Sequence, residues 1–147
     1  NGNLNNLDLS RAGLQGANFQ HVNLTGTLMT FADLREADFT EATLLRVDFG
    51  GVRCEKLDEK SPRAATFWHA NLQGAKFGSA DLRGVNFGGA NLRGVDFTDA
   101  NLLGASFDNA EFDELTKLPD GTYWTSTTDV VQLTKLKPIV ATTRRYA

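Results

Sequence analysis

The sequence predicts an all-β solenoid, in which the chain turns a corner every five residues, followed by a short C-terminal cap with one helix. Three observations support this prediction. A central Leu or Phe, replaced only by Met29 and Cys54, recurs every five residues from Leu4 with a single break, so that 21 units can be counted. The position two residues earlier holds Ala in thirteen units and Val in five, and the position between them holds Asn or Asp in thirteen. A period of five fits neither a helix nor a long strand.

Each unit is interpreted as one wall of the coil. We call the central residue position i. Residues at i and i−2 point to the same side of an extended segment, whereas i−1 points to the other side. The small residue at i−2 leaves room for the large one at i, so a narrow interior can be filled at normal packing density.

The glycines mark the corners between walls. Gly occupies i+2 in six of the ten Leu-centred units but in only two of the nine Phe-centred units. Gly suits the turn position that requires a positive φ. The pattern therefore predicts two corner types that depend on the central residue.

The repeat resembles a known family. The stretch ADLRGVNFGGANLRGVDF, which begins at Ala80, matches the A(D/N)LXX consensus of pentapeptide repeat proteins, and the resemblance covers residues 2–114. It implies a right-handed quadrilateral β-helix with four units per coil and with the i and i−2 side chains inside. On this basis we predict a β-helix over residues 1–114, a cap over 115–138 and a weakly ordered tail over 139–147.

The reading frame slips between Cys54 and Phe67, where EKLDEKSPRAAT contains an eight-residue insertion. A single step around the coil would stack five phenylalanines on one wall: Phe19, Phe39, Phe67, Phe87 and Phe107. A two-step interval would place Leu over Phe on every wall, so like-on-like stacking favours one step. The insertion, at about residues 55–64, is then a charged corner loop. It is either a tolerated surface insertion or a recognition loop.

Beyond the last unit the sequence predicts a cap. Residues 119–121 contain a turn signal, and Ser126 with Asp129 resembles the capping box of a short helix. A solenoid ends in open strand edges and an exposed core, which something must cover. We expect the helix, Tyr123 and Trp124 to do so.

Composition limits the possible functions. The chain has 147 residues, 41% of them apolar, with no run long enough to span a bilayer. We therefore expect no membrane span. Its net charge of −3 is far from the basic balance of nucleic-acid binders, so we expect no direct nucleic-acid binding. Cys54 is the only cysteine and is predicted to be a buried, inert thiol.

The source and compartment are indicated more weakly. The segment TKLPDGTYWT resembles tails of cyanobacterial pentapeptide repeat proteins, which suggests a cyanobacterial source. We expect a cytoplasmic location, or the thylakoid lumen or periplasm if a targeting segment has been removed.

The sequence contains no nucleotide-binding, zinc-protease or serine-hydrolase motif, so we predict no enzyme, no catalytic residue and no cofactor. Asn and Asp recur in too many units to mark one active site, and are expected to serve the repeat. His21, Glu41 and His69 should form one outward column at i+2. Such a column could bind zinc or simply be solvated, and we favour the solvated column and predict no metal.

Bulky outward residues are the clearest functional signal. The candidate interaction surface consists of Trp68, His69, Glu55, Lys56 and Phe31. Trp68 directly follows the insertion, so that loop and indole could anchor an interface. The alternative is that Trp68 only packs under the loop.

Two functions follow from these features. The favoured one is a rigid, non-enzymatic scaffold or protein–protein interaction module, monomeric or weakly dimeric, with a partner of unknown identity.

The alternative comes from the resemblance, because some pentapeptide repeat proteins protect DNA gyrase by mimicking duplex DNA. Mimicry needs dense negative charge, and the repeat units outside the insertion carry thirteen Asp or Glu against seven Lys or Arg. Gyrase-protecting members also dimerise through an apolar C-terminal segment, whereas here that end looks like the cap of a single rod.

Overall fold

The computed structural model describes residues 3–56 and 63–135, and those up to Leu118 form a quadrilateral coil. Parallel bridges join each unit to the unit four places later, from Asn3–Asn23 to Asp96–Lys117. Each bridge involves a single residue pair, since a corner follows at once. We number the walls by their central residues: wall 1 (Leu4, Leu24, Leu44, Leu72, Leu92, Phe112), wall 2 (Leu9, Met29, Phe49, Phe77, Phe97), wall 3 (Leu14, Leu34, Cys54, Leu82, Leu102) and wall 4 (Phe19, Phe39, Phe67, Phe87, Phe107).

The backbone hydrogen bonds explain the recurrent Asn and Asp. The N–H groups at i and i+2 donate to the next coil and that at i−1 donates to the previous coil, which leaves the N–H at i+1 without a backbone partner. In all thirteen units with Asn or Asp at i−1, its side-chain oxygen accepts a hydrogen bond from this N–H; Asn86 accepts from Gly88 at 2.8 Å. These residues therefore serve the repeat, because a backbone donor without a partner is costly where water is excluded.

The prediction of two corner types is wrong. Gly16 in a Leu-centred unit has a φ of 68°, and His21 in the following Phe-centred unit has a φ of 57°. Both corners are closed in the same way, by an N–H three residues after the centre that donates to the central carbonyl. Stacking on neighbouring coils fixes the left-handed conformation, so residues other than Gly are held there as well.

The interior is a set of stacked side chains. Phe67 is fully buried, with ring centroids 4.8 Å from Phe39 and 5.3 Å from Phe87 on the same wall. Rings on wall 2 meet these edge-on, as Phe77 does at 5.6 Å from Phe67. Cys54 is fully buried, and burial raises the pKa of its thiol well above the ordinary value. The thiol is thus neutral, in agreement with the predicted inert role.

The single-step reading of the frame slip is confirmed. Thr66 pairs with Asp38 on wall 4, and Arg53 pairs with Asp81 on wall 3. The N–H of Ala65 donates to the carbonyl of Cys54 at 2.8 Å, and so keeps the usual corner hydrogen bond across the insertion. Residues 57–62 of the predicted loop lie outside the described residues.

The coil continues for one unit beyond the last one recognised in the sequence. Lys117 pairs with Asp96, while Thr116 and Leu118 are buried in the i−2 and i places. The chain then folds back as a hairpin, in which the N–H of Trp124 donates to the carbonyl of Thr116 at 2.9 Å. The Trp124 ring stacks on Phe112 with centroids 5.9 Å apart, as expected of a cover, whereas Tyr123 stays 57% exposed.

The helix α1 spans Val130–Leu133. Its N-cap is Asp129, which accepts a hydrogen bond from Val131, so the prediction of Ser126 as the capping residue is wrong. No residue of α1 is buried, and the segment joins the coil through the Thr134 carbonyl, which accepts from the Gly104 N–H at 2.8 Å. The predicted tail lies outside the described residues. In the described part of the chain, no helix has the length and hydropathy needed to cross a bilayer.

Candidate interaction surface

The five residues predicted to form the interaction surface lie on three different walls. Trp68 and His69 follow Phe67 on wall 4, and Glu55 and Lys56 follow Cys54 at the end of wall 3. Phe31 belongs to wall 2, on the opposite side of the rod from wall 4. Trp68 contacts His69 and borders a depression that Lys56 also lines, whereas Phe31 lies on another wall and Glu55 is buried.

Glu55 is not available as a surface residue. It is 7% exposed, and its Oε1 accepts hydrogen bonds from Arg53 at 3.0 and 3.2 Å. Its other oxygen is buried and accepts no hydrogen bond within the described chain. Glu55 is therefore part of the ionic packing of wall 3.

Charges on wall 3 alternate in sign. Down the i−1 column the residues are Asp33, Arg53 and Asp81, and down the i+1 column they are Arg35, Glu55 and Arg83. Each unit contains an ion pair, as in Arg83 with Asp81 at 2.7 Å. The hydrogen bond from Arg35 holds the pKa of Asp33 below its ordinary value, and Arg53 in the next coil adds to this effect. The six positions together carry no net charge.

Phe31 stands apart on wall 2. Its side chain is 64% exposed, and its ring lies over Gly51 of the next coil, where an added Cβ would come within 2.6 Å. The guanidinium of Arg11 lies 5.6 Å from the ring centroid. This aromatic residue is thus accounted for by a local contact between coils.

Trp68 and His69 rest on two glycines of the next coil. Their rings are perpendicular, with centroids 4.0 Å apart. A Cβ added to Gly88 would lie 3.2 Å from the Trp68 ring, and one added to Gly89 would lie 2.5 Å from the His69 ring. Trp68 nevertheless remains 43% exposed. The two glycines therefore leave room for the rings, and the indole still presents a face to solvent.

The predicted histidine column forms only in part. The Nδ1 atom of His21 lies 3.1 Å from Glu41, whereas the His69 ring lies against Gly89 in the next coil. No group of three His, Cys, Asp or Glu residues in the described chain is arranged to hold a metal ion.

Two depressions border Trp68 on wall 4. The first, which we call the loop groove, has a volume of about 570 Å³ and lies between Trp68 and the two ends of the insertion, Lys56 and Arg63. The second, which we call the glycine recess, has a volume of about 330 Å³ and is lined by the Trp68 and His69 rings, the backbone of residues 88–89, and Ser106, Asp108 and Asn109.

The three acidic residues of wall 4 differ in their partners. Asp38 contacts Arg63 at 3.4 Å, and Glu41 contacts His21 at 3.1 Å. Partial burial alone would raise the pKa of Asp38, but hydrogen bonds from Thr40 and Gln20 outweigh it and hold the pKa below the ordinary value. Asp108 is exposed and has no ion-pair partner within the described residues.

The repeat and the observed coil agree with a sequence comparison. A profile of pentapeptide repeats matches in eight copies, over residues 1–30, 17–53, 63–99 and 90–115. The chain belongs to the pentapeptide repeat family. No curated protein matches it in sequence.

Solved structures of pentapeptide repeat proteins share the fold. HetL from the cyanobacterium Nostoc sp. strain PCC 7120, which is involved in heterocyst differentiation regulation, is 31% identical over 83% of this chain, with a TM-score of 0.75. This chain spans 53% of the HetL chain, or about half its length. A pentapeptide repeat protein from the Arabidopsis thaliana thylakoid lumen is 27% identical over 67% of each chain, with a TM-score of 0.52. Rfr23 from the cyanobacterium Cyanothece 51142 is 24% identical over 78% of this chain and 86% of its own, with a TM-score of 0.56. The predicted right-handed quadrilateral β-helix is confirmed.

Proposed function

We propose that this chain is a rigid, non-enzymatic scaffold that binds a protein partner through wall 4, with Trp68 at the centre of the contact. The exposure of Trp68 carries this proposal. The indole occupies an i+1 position where the repeat needs no bulk, and the other units of wall 4 have Gln20, Thr40, Gly88 and Asp108 there. Exposed Trp residues beside depressions are typical interface anchors.

Rigidity supports a binding role. The stacked interior and the ladder of hydrogen bonds fix the outward positions, and the Trp68 and His69 rings lie against each other with centroids 4.0 Å apart. Binding then orders few side chains, which lowers its entropic cost. An enzyme would instead need a pocket that separates the pKa values of an acid and a base. The Asn and Asp side chains that recur here are bonded to the backbone.

The charge distribution favours this scaffold over a duplex mimic. Five ion pairs join Arg to Asp or Glu in the described residues, and wall 3 is neutral over its alternating columns. A mimic of DNA needs a continuous line of negative charge. HetL, which shares the fold, is involved in a regulatory process, and this supports a binding role for the present chain.

Capture from a lysate of the source organism tests the proposal. The baits are the wild type, Trp68→Ala and Phe31→Ala, and the last of these removes an exposed aromatic residue from the opposite wall. We expect a protein that is retained by the wild type and by Phe31→Ala, at moderate salt, but is lost with Trp68→Ala. Retention by all three baits would contradict a contact through wall 4. Unchanged melting temperatures would show that both variants are folded.

A DNA supercoiling assay tests the alternative. A duplex mimic would inhibit gyrase at low salt and lose this effect steeply as salt is added. We expect no inhibition at any ratio of protein to gyrase. Salt-sensitive inhibition that persists in Trp68→Ala would contradict the proposed scaffold.

A further inference from the structure

We infer that the glycine recess binds an arginine side chain of the partner. This inference rests on the proposed function and names the chemistry that the partner presents to wall 4. It depends on three features of the recess: its shape, its aromatic side and an acid, Asp108, that has no ion pair among the described residues.

The shape suits one long side chain. Gly88 and Gly89 leave the bottom of the recess without side chains, while the rings of Trp68 and His69 form one side. Asp108 lies on the opposite side, one coil further along. A volume of about 330 Å³ is at the small end of the range for ligand sites, which fits a single inserted side chain rather than a larger ligand.

The aromatic side favours a cation. The indole of Trp68 is partly exposed and lies above Gly88, where an added Cβ would come within 3.2 Å of the ring. Trp is the aromatic residue that attracts cations most strongly over its face. A planar guanidinium also stacks on an aromatic ring, which an ammonium group cannot do.

The charge of the recess also favours a cation. Asp108 accepts a hydrogen bond from the Ser106 hydroxyl at 3.1 Å and has no ion pair in the described chain, whereas on the same wall Asp38 contacts Arg63 and Glu41 contacts His21. A carboxylate can accept two parallel hydrogen bonds from a guanidinium. The same carboxylate would repel a phosphate, so a basic peptide fits the recess and a nucleic acid does not.

The test uses a small probe and the complete chain. The probe is Nα-acetyl-arginine N-methylamide, and its control is the citrulline analogue, which has nearly the same shape without the charge. Binding is followed by the NMR signal of the Trp68 indole N–H. Trp124 is an internal reference, since its indole N–H is buried. We expect the arginine probe to shift the Trp68 signal and leave the Trp124 signal in place. The citrulline analogue should bind at least about tenfold more weakly, because charged hydrogen bonds and cation–π contacts are both lost.

Two matched variants identify the acid. Asp108→Asn should weaken binding of the arginine probe roughly tenfold. Asp99→Asn, which changes an exposed acid on wall 2, should leave it unchanged. The inference is overturned if the arginine probe does not shift the Trp68 signal, if citrulline binds equally well, or if Asp108→Asn has no effect.

The lysate experiment separates this inference from the proposed function. If the arginine probe fails but capture of a partner still depends on Trp68, the scaffold function stands and the arginine recess is wrong. If the probe binds as expected but capture is independent of Trp68, the recess stands and the proposed function is wrong.

Discussion

Replacing Phe87 by Ala should destabilise the coil by about 4–5 kcal/mol, near the top of the range for a buried aromatic residue. Phe87 is fully buried, with ring centroids 5.3 Å from Phe67 and 5.2 Å from Phe107 along wall 4. It also makes edge contacts with Phe77 and Phe97, each at 5.8 Å. The coils on both sides are tied by hydrogen bonds at every corner, so they cannot collapse into the cavity. The rings that surround the cavity therefore lose their contacts with Phe87 and gain few new ones.

Thermal or urea unfolding measures this effect against a surface control. Arg93→Ala removes an exposed side chain that contacts Glu111 at 2.7 Å, and such pairs contribute no more than about 1 kcal/mol. In a chain of this size 1 kcal/mol corresponds to roughly 2–4 °C, so Phe87→Ala should lower Tm by about 10 °C or more. Equal changes in the two variants would refute the assignment of inward and outward positions.

Two further predictions concern the polar groups of the corners. Asn86→Ala should lower the free energy of unfolding, measured in urea, by about 1–2 kcal/mol, because the N–H of Gly88 is buried and loses its acceptor. Asn18→Ala, in an exposed corner, should lower it by less than about 0.5 kcal/mol. Equal losses in the two variants would contradict this explanation. Partial burial alone would raise the pKa of Asp96, but hydrogen bonds from Thr98 hold this pKa below its ordinary value. The ionised Asp96 therefore stabilises the folded chain above the unfolded pKa of about 3.9, and this stabilisation is lost as pH falls through the lower folded pKa. Asp96→Asn should therefore flatten the fall in stability below about pH 4 and leave the profile from about pH 5 to 7 unchanged, and an unaltered acid limb would contradict this assignment.

The interior of the fold could be predicted because each coil repeats the same steric problem. The alternation of small and large residues at i−2 and i fixes what points inward, and like-on-like stacking fixes how Phe67 follows Phe39 across the insertion. The inward positions of Thr116 and Leu118 could not be predicted in this way, because Leu118 follows Phe112 by six positions and not by five. The pattern also carries Thr116 and Lys117 in place of the usual Ala and Asn. The extra unit is visible only from its pairing with Asp96.

The corners could not be predicted from glycine counts. A glycine at i+2 indicates a positive φ, but its absence does not indicate another turn. His21 and Ser79 both have a φ of 57° because hydrogen bonds from neighbouring coils determine the backbone there. Local preference is thus overruled by stacking, and residues with unfavourable preferences are carried by the rest of the coil.

The candidate site could be predicted in part. Trp68 was identifiable as bulk at an outward position, but Glu55 was not recognisable as buried, because the sequence does not show that Arg53 folds over it. The glycine recess was missed, since Gly88 and Gly89 look like ordinary corner residues. The register contained the signal, because Gly88 lies twenty residues after Trp68 and therefore one coil beyond it on the same wall.

The bulky side chains of Trp68 and His69 and the two glycines Gly88 and Gly89 occupy equivalent positions in successive coils of wall 4. An added Cβ would lie 2.5 Å from the His69 ring at Gly89 and 3.2 Å from the Trp68 ring at Gly88, so the observed ring positions fit glycine at both places. The coil itself requires neither pair, because the next coil of the same wall places Asp108 and Asn109 at these positions and closes its corner with the same hydrogen bond. Phe31 lies over Gly51 in the same way, so a ring above a glycine of the next coil is not confined to wall 4. What distinguishes wall 4 is that the exposed indole of Trp68 shares a recess with Asp108, which has no ion pair within the described residues, and this is why we propose a binding role for this wall.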